Sequence, residues 1–271
     1  MFDYRSPALS KALTLLIILV YLAFNSAVAD ELSSQPQSTN NKKHYKIGVS
    51  FVNHYPHFDF SSAEDKGLSW AILEAFARDY GYTFEYVILP PVRLQSALDN
   101  RTVDFIYPDN PKWLAHKAEF DRNIYSIPIT EATSASYVES FNQNLPLSEV
   151  TSVSIPFGYS AITWVEPIEK YNIKSIPVRD LEMALHALKT RTAVAADVEY
   201  NVGQHLIKSR PILGSLVVNK NLPKRAVNYH LSTKEHVLLL EQISQFSLEQ
   251  KELIEMLRST YGIKSYEQVF N

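Results

Sequence analysis

Along residues 45–107 the spacing of apolar side chains switches between two periods. Ile47, Val49 and Phe51 recur at every second position, as on one face of an extended strand, and the polar run over 53–66 then breaks the pattern as a loop. From Gly67 the period becomes helical. Leu68, Ala71, Ile72, Ala75, Phe76 and Tyr80 share one stripe, and Gly81 stands where a left-handed residue ends a helix. Residues 82–89, rich in aromatic and β-branched side chains, predict a second strand, which Pro90-Pro91 closes. Leu94, Ala97 and Leu98 predict a short helix, and 103–107 a third strand. Strands alternating with helices predict a parallel sheet whose ligands bind outside the carboxyl ends of the strands, so function is expected in the loops that follow them.

The pattern continues beyond this unit. Asn110-Pro111 suits a helix cap followed by a first helical position, which predicts a short helix over 112–117. Residues 124–139 form a long extended segment rich in Thr, Ser and Tyr, expected to cross from one lobe to another. A second unit follows: a strand over 151–157, a turn at Gly158-Tyr-Ser, a helix over 161–170, a strand over 174–178 and a helix capped by Asp180. Ala193 to Ala196 then run as a small-residue strand into Asp197. The helix-to-strand junctions ALDNRT (97–102) and ALKTRT (187–192) echo each other, which supports two similar lobes modestly. After a further strand over 214–219, residues 226–231 are extended enough to return the chain, and helical periods over 233–246 and 248–261 are expected to pack back on the first lobe.

The order of a strand, Tyr55-Pro-His-Phe58, Gly67-Leu, a helix, a strand and the segment LQSALDNRTVDF (94–105) resembles the first lobe of bacterial family 3 solute-binding proteins, the extracytoplasmic receptors of polar amino-acid type importers. That resemblance implies an α/β, two-lobed, periplasmic binding protein-like fold of type II, with two βαβ lobes joined by a two-segment hinge. Lobe 1 is expected from 44–134 and 229–271, lobe 2 from 135–228, with crossovers near 130–139 and 226–231. It further implies a monomer that closes on a small polar solute and presents it to an inner-membrane ABC permease or a sensor protein. The alternatives are a periplasmic enzyme on the same fold, of dehydratase type, and a signalling receptor with no transport role.

Composition adds an address. A basic start with Arg5 and Lys11, an apolar run over 12–24 and Ala27-Val28-Ala29 have the form of a cleavable signal peptide, 1–29, so a periplasmic protein is expected, beginning with a flexible polar leader over 30–43. The absence of cysteine excludes a lipid anchor, a disulfide, a thiolate nucleophile and a sulfur-ligated metal. A net charge of −3 argues against nucleic acid as a partner.

Enzyme signatures are sparse. There is no phosphate-cradling glycine loop and no His-Glu-x-x-His, and Gly158-Tyr-Ser160 lacks the second glycine of a nucleophile elbow. His54 and His57, three apart, suit a metal less well than a cleft rim, and no cofactor is expected. The binding candidates are more numerous. Tyr55 and Phe58 offer aromatic faces to a solute or pack on their own core; Arg93 pairs with a ligand carboxylate or with a rim Asp. Tyr107, Asp109 and Asn110 follow the third strand, and Gly158, Tyr159 and Ser160 open a helix whose N–H groups accept an anion. Asp197 stands where the resemblance places the aspartate that receives a ligand ammonium, the other reading being a cap for a helix from Val198. Where the family carries Thr-Pro-x-Arg, whose Arg grips an α-carboxylate, this chain has Asn110-Pro111-Lys112-Trp113, and Trp113 cannot make that ion pair. Common L-amino acids are therefore expected to bind poorly, and a cationic or aromatic-stacking polar solute is expected to use Tyr55, Phe58 and Trp113.

Overall fold

The structure, a computed structural model, describes residues 43–113, 123–157 and 161–271. The expected signal segment and nearly all of the expected leader fall outside the described residues; Lys43 already belongs to the first strand. No helix among the described residues is long and apolar enough to cross a membrane.

The first unit follows the change of period. Strand β1 (Lys43–Ser50) buries Ile47 and Val49 on one side of the sheet, and helix α1 (Leu68–Tyr80) lays Leu68, Ile72 and Phe76 over them. Gly81 takes φ +71° and donates its N–H to the Ala77 carbonyl, a left-handed cap as expected. Strands β2 (Tyr82–Leu89) and β3 (Phe105–Asp109) flank β1 in parallel. On the other face, α2 (Pro91–Asp99) packs Leu94 and Leu98 against Val103 and Ile106. Gly48 permits that approach, since a Cβ there would sit 3.2 Å from the Val103 side chain and 3.3 Å from Ile106.

Past β4 (Ile124–Tyr125), strand β5 (Thr130–Glu139) leaves the first core. In the second unit β6 (Ser152–Pro156) lies between β7 (Lys174–Val178) and β8 (Ala195–Glu199), parallel to both. The helix expected over 161–170 begins later, as α3 (Val165–Tyr171). The reason is Pro167: beginning at Val165 keeps it in the first turn, where its missing N–H costs nothing, whereas an earlier start would place it in the interior. Asp180 caps α4 (Leu181–Lys189) as expected, its carboxylate accepting the Met183 N–H at 2.8 Å. Helix α5 (Tyr200–Ser209), the short β9 (Leu216–Val218) and β10 (Arg225–Thr233) follow. Helices α6 (Val237–Glu249) and α7 (Lys251–Thr260) return to the first core. The final helix α8 (Tyr266–Phe270) instead sets Phe270 against the core of the second unit.

The strand order is β2-β1-β3-β10-β5-β8-β6-β7, with β4 added to β10 and β9 to β5. Each unit has its own hydrophobic clusters, one set around β1 and β3 and another around β8 and β6. Between them run β5 and β10, the two segments expected to cross, hydrogen-bonded to each other antiparallel from Arg225↔Ser134 to Tyr229↔Thr130. The result is a two-lobed α/β protein whose lobes share a pair of strands.

Candidate functional site

A cavity of about 450 Å³ lies where the crossing strands meet the carboxyl ends of β1, β3 and β8, within the range usual for small-molecule sites. The first lobe contributes Ser50, His54, Phe58, Gln95 and the run from Asp109 to Trp113. From the second lobe come Ile162, Thr163, Asp197 and Glu199, and from the crossing strands Ser134 and residues 225–230.

Of the acids that line the cavity, Asp197 has the fewest partners among the described residues. It sits within β8, not ahead of a helix, because the strand continues through Glu199 and α5 starts only at Tyr200. Glu199 does the capping, its side chain accepting the Val202 N–H at 2.8 Å. The reading of Asp197 as a cap for a helix from Val198 is thereby corrected: two further strand residues carry the helix start past it. Its Oδ1 accepts a hydrogen bond from the Ser134 hydroxyl at 2.8 Å, and among the described residues no cation pairs with it. Burial pushes its carboxyl up to about 6, in spite of the hydrogen bond from Ser134 that favours the ionised form.

Glu199 escaped the sequence reading, and so did its pairing with His57. Its Oε1 accepts from the Thr133 N–H at 2.9 Å and the Asn201 amide at 3.0 Å, and lies 3.1 Å from His57 Nε2. That last contact has the distance of an ion pair without the alignment of a well-directed hydrogen bond, since both ring nitrogens of His57 lack one. Burial works to raise the Glu199 carboxyl, but His57 and the N–H donors outweigh it and hold it at about 2. His54 and His57, read from the sequence as rim imidazoles, are in fact 1% and 0% exposed. The loop that carries them folds inward because the Pro56 and His57 carbonyls accept the Leu68 and Ser69 N–H groups at the start of α1. His54 stacks on Phe58 with ring centres 5.0 Å apart and lies 3.1 Å from the Tyr229 hydroxyl; burial, aided by His57, pushes it down to about 3. No group of three or more metal-ligating side chains occurs among the described residues. No pattern in the sequence singles out Glu199, because the strand expected over 193–196 is not followed past Asp197.

The remaining candidates divide into two sets. Phe58, Asp109 and Trp113 line the cavity, as Asp197 does. Asp109 is already engaged by the Ser232 hydroxyl at 2.6 Å, the Asn123 amide at 3.1 Å and the Asn110 N–H at 2.7 Å, so it organises the first-lobe wall. Asn110 closes a turn by accepting the Lys112 N–H, and its amide donates to the Asn228 carbonyl of β10. Trp113 sits edge-on to Tyr229 at 6.1 Å. Tyr55, Arg93 and Tyr107, by contrast, do not line the cavity. The Tyr55 hydroxyl is drawn away to Asp65, which also receives the Tyr261 hydroxyl. Burial would raise Asp65, yet these bonds and the Gly67 N–H hold it below its ordinary value. Arg93 is exposed on α2. Tyr107 is fully buried, bonded to Ser69 at 2.8 Å and Thr130 at 2.9 Å, and desolvation raises its hydroxyl to about 12. Gly158, Tyr159 and Ser160, and all of the helix expected over 112–117 beyond Trp113, lie outside the described residues.

No protein-family model matches the chain, and no curated protein does. Solved structures do share its fold. The GluR0 ligand-binding core in complex with L-glutamate aligns with a TM-score of 0.68 at 15% identity, over 82% of this chain and 99% of that one. An arginine 3rd transport system periplasmic binding protein from Legionella pneumophila aligns at 0.65 and 18% identity, over 81% and 100%. A histidine kinase sensor domain with similarity to periplasmic binding proteins gives 0.64 and 18%, over 81% and 96%. The chain therefore has the two-lobed, periplasmic binding protein-like α/β fold that the order of its weak motifs implies.

Proposed function

We propose that the protein is a divergent family 3 type solute-binding protein of the periplasm, which captures a small polar solute bearing a cationic group and delivers it to an inner-membrane ABC importer. The observation that carries this reading is Asp197: a carboxylate on the wall of a cavity between two lobes, raised by burial, unpaired with any cation among the described residues and relieved of the capping role. A buried charge is costly without a partner, so the missing cation is assigned to the solute. Ligand contacts made from both lobes at once favour a closed form over an open one, and the pair β5 and β10 is where the two lobes turn. A ligand-binding core in complex with L-glutamate and a periplasmic binding protein of an arginine transport system, both of similar fold, fit this role. A second reading, a sensor that reports the same solute to a membrane signalling protein, is favoured by the histidine kinase sensor domain of similar fold.

A thermal-shift screen of amines, amino acids and quaternary ammonium compounds, followed by titration calorimetry, tests the core of the proposal. Stoichiometric binding with the ligand recovered unchanged is the expected result. Turnover of the bound compound would instead establish the enzyme, and a purified protein that no compound stabilises would remove the solute-binding reading.

A further inference from the structure

The crossing strands bring to the cavity a cation that no described residue answers. Arg225 opens β10, directly opposite Ser134 of β5, and Ser134 is in turn directly opposite Glu199 of β8. Opposed residues in neighbouring strands project to the same face of a sheet, so Arg225, Ser134 and Glu199 form one row, with Asp197 two residues along β8 from its end. All four line the cavity. Arg78, Arg101, Arg179, Arg210 and Arg258 each lie beside a carboxylate. Arg225 is exposed in the cleft and makes no ion pair or side-chain hydrogen bond with any described residue. Nor does it neutralise Asp197, whose ionisation no cation assists. One wall of the cleft thus presents an unanswered cation and an unanswered anion, held apart by the strand that carries Ser134.

We propose that Arg225 is the anion-binding residue of this cleft, so that the solute is dipolar, offering a carboxylate to Arg225 as well as a cationic group to Asp197. The assignment rests on the solute-binding reading and narrows it. It also revises what the sequence suggests: the cation lacking at Trp113 is supplied from a crossing strand and not from the loop after β3. The planar guanidinium fork matches a carboxylate through two parallel hydrogen bonds, which a lysine in its place does not reproduce. Because β10 passes between the lobes, a carboxylate held there is anchored at the turning point, while Phe58, Trp113 and Tyr229 supply aromatic surface on the first-lobe side.

Calorimetry with matched pairs that differ only by the carboxylate tests this: L-arginine with agmatine, L-histidine with histamine, L-glutamate with γ-aminobutyrate, and γ-aminobutyrate with propylamine. Glycine, β-alanine and 6-aminohexanoate extend the series of charge separations. In at least one pair the member that carries the additional carboxylate is expected to bind about tenfold tighter or more. Arg225→Gln should abolish that preference while leaving the melting temperature and the affinity for the partner lacking the carboxylate unchanged; Arg225→Lys should restore it in part. Equal binding within every pair, a preference that survives Arg225→Gln, or one lost instead in Lys112→Gln or Arg93→Gln overturns the assignment while the solute-binding reading stands. Binding of no compound in the series by the wild-type protein overturns both.

Discussion

Asp197, hydrogen-bonded to Ser134, ties the stability of the protein to pH. The carboxyl has an ordinary value of 3.8 and stands at about 6 in the folded protein. Above pH 6 the folded state therefore holds an ionised group that is better solvated in the unfolded chain, and this cost disappears below the unfolded value. Asp197→Asn is accordingly expected to raise stability at pH 7, by about 1–3 kcal/mol after allowance for its partial exposure, and to leave it unchanged at pH 3.5. Urea denaturation at the two pH values measures the difference. The same substitution should weaken binding of a cationic solute by more than ~1.4 kcal/mol, a tenfold change. In the wild type the affinity should fall as the pH drops through 6, since the protonated carboxyl no longer attracts a cation, with a limiting slope of about tenfold per pH unit. A pH-independent affinity in calorimetry between pH 5 and 7.5 would show that the cation binds elsewhere. Of this residue's properties, its place at the end of a Val- and Ala-rich strand was legible in the sequence. Its release from capping was not, because that depended on how far β8 remained paired with β5.

At the scale of elements, the seating of α5 on β5 and the tie from the His54–His57 loop to β8 hold the back of the cleft. Helix α5 approaches β5 through Gly203, where a Cβ would overlap the ring of Tyr137; that ring's hydroxyl donates to the Tyr200 carbonyl at 2.7 Å. Gly203→Ala is expected to destabilise the protein by about 1–3 kcal/mol through overpacking, whereas an alanine in an exposed helix normally stabilises relative to glycine. A rise in denaturation midpoint would show that the helix shifts freely. Two acid-sensitive contributions belong to the tie between the His54–His57 loop and β8. His54 is held unprotonated in the folded state down to about 3, so stability is lost as the pH falls from 6.5 toward 3. Glu199 keeps its charge to about 2, so its contribution is complete above 4.5 and is lost as the pH falls toward 2. Glu199→Gln should lower stability at neutral pH by about 3 kcal/mol and flatten the decline below pH 4.5, while the decline between 6.5 and 4.5 persists. Chemical denaturation across pH 3 to 7.5 resolves the two windows, and an unaltered acid limb in the variant would remove Glu199 as its source.

At the scale of the whole molecule, among the described residues, two cores are joined by β5 and β10 and, a third time, by the chain between α7 and α8, whose Phe270 packs on the second core. Solute binding is expected to compact the protein, seen as a smaller radius of gyration in X-ray scattering, and Asp197→Asn should not compact at the same solute concentration. Compaction without solute, or an unchanged radius at saturation, would argue for a rigid receptor.

Several features of this protein were determined by its sequence alone. The switch from a period of two to a helical period placed β1, α1, β2 and β7 within a few residues, because those periods follow from backbone geometry that any neighbour must accept. Local chemistry likewise located the Gly81 and Asp180 caps. Tertiary structure decided which polar residues meet. His54 and His57 are polar residues of a loop, yet they are buried because Glu199 arrives beside them from more than a hundred residues away. Tyr55 and Tyr107 are drawn from the cleft by Asp65 and by Ser69 and Thr130. Arg225, at the start of a plain extended run, enters the cleft only through the register of β10 on β5. Periodicity records which face of an element is apolar; strand register, set by pairing between distant segments, decides which charges share a cavity.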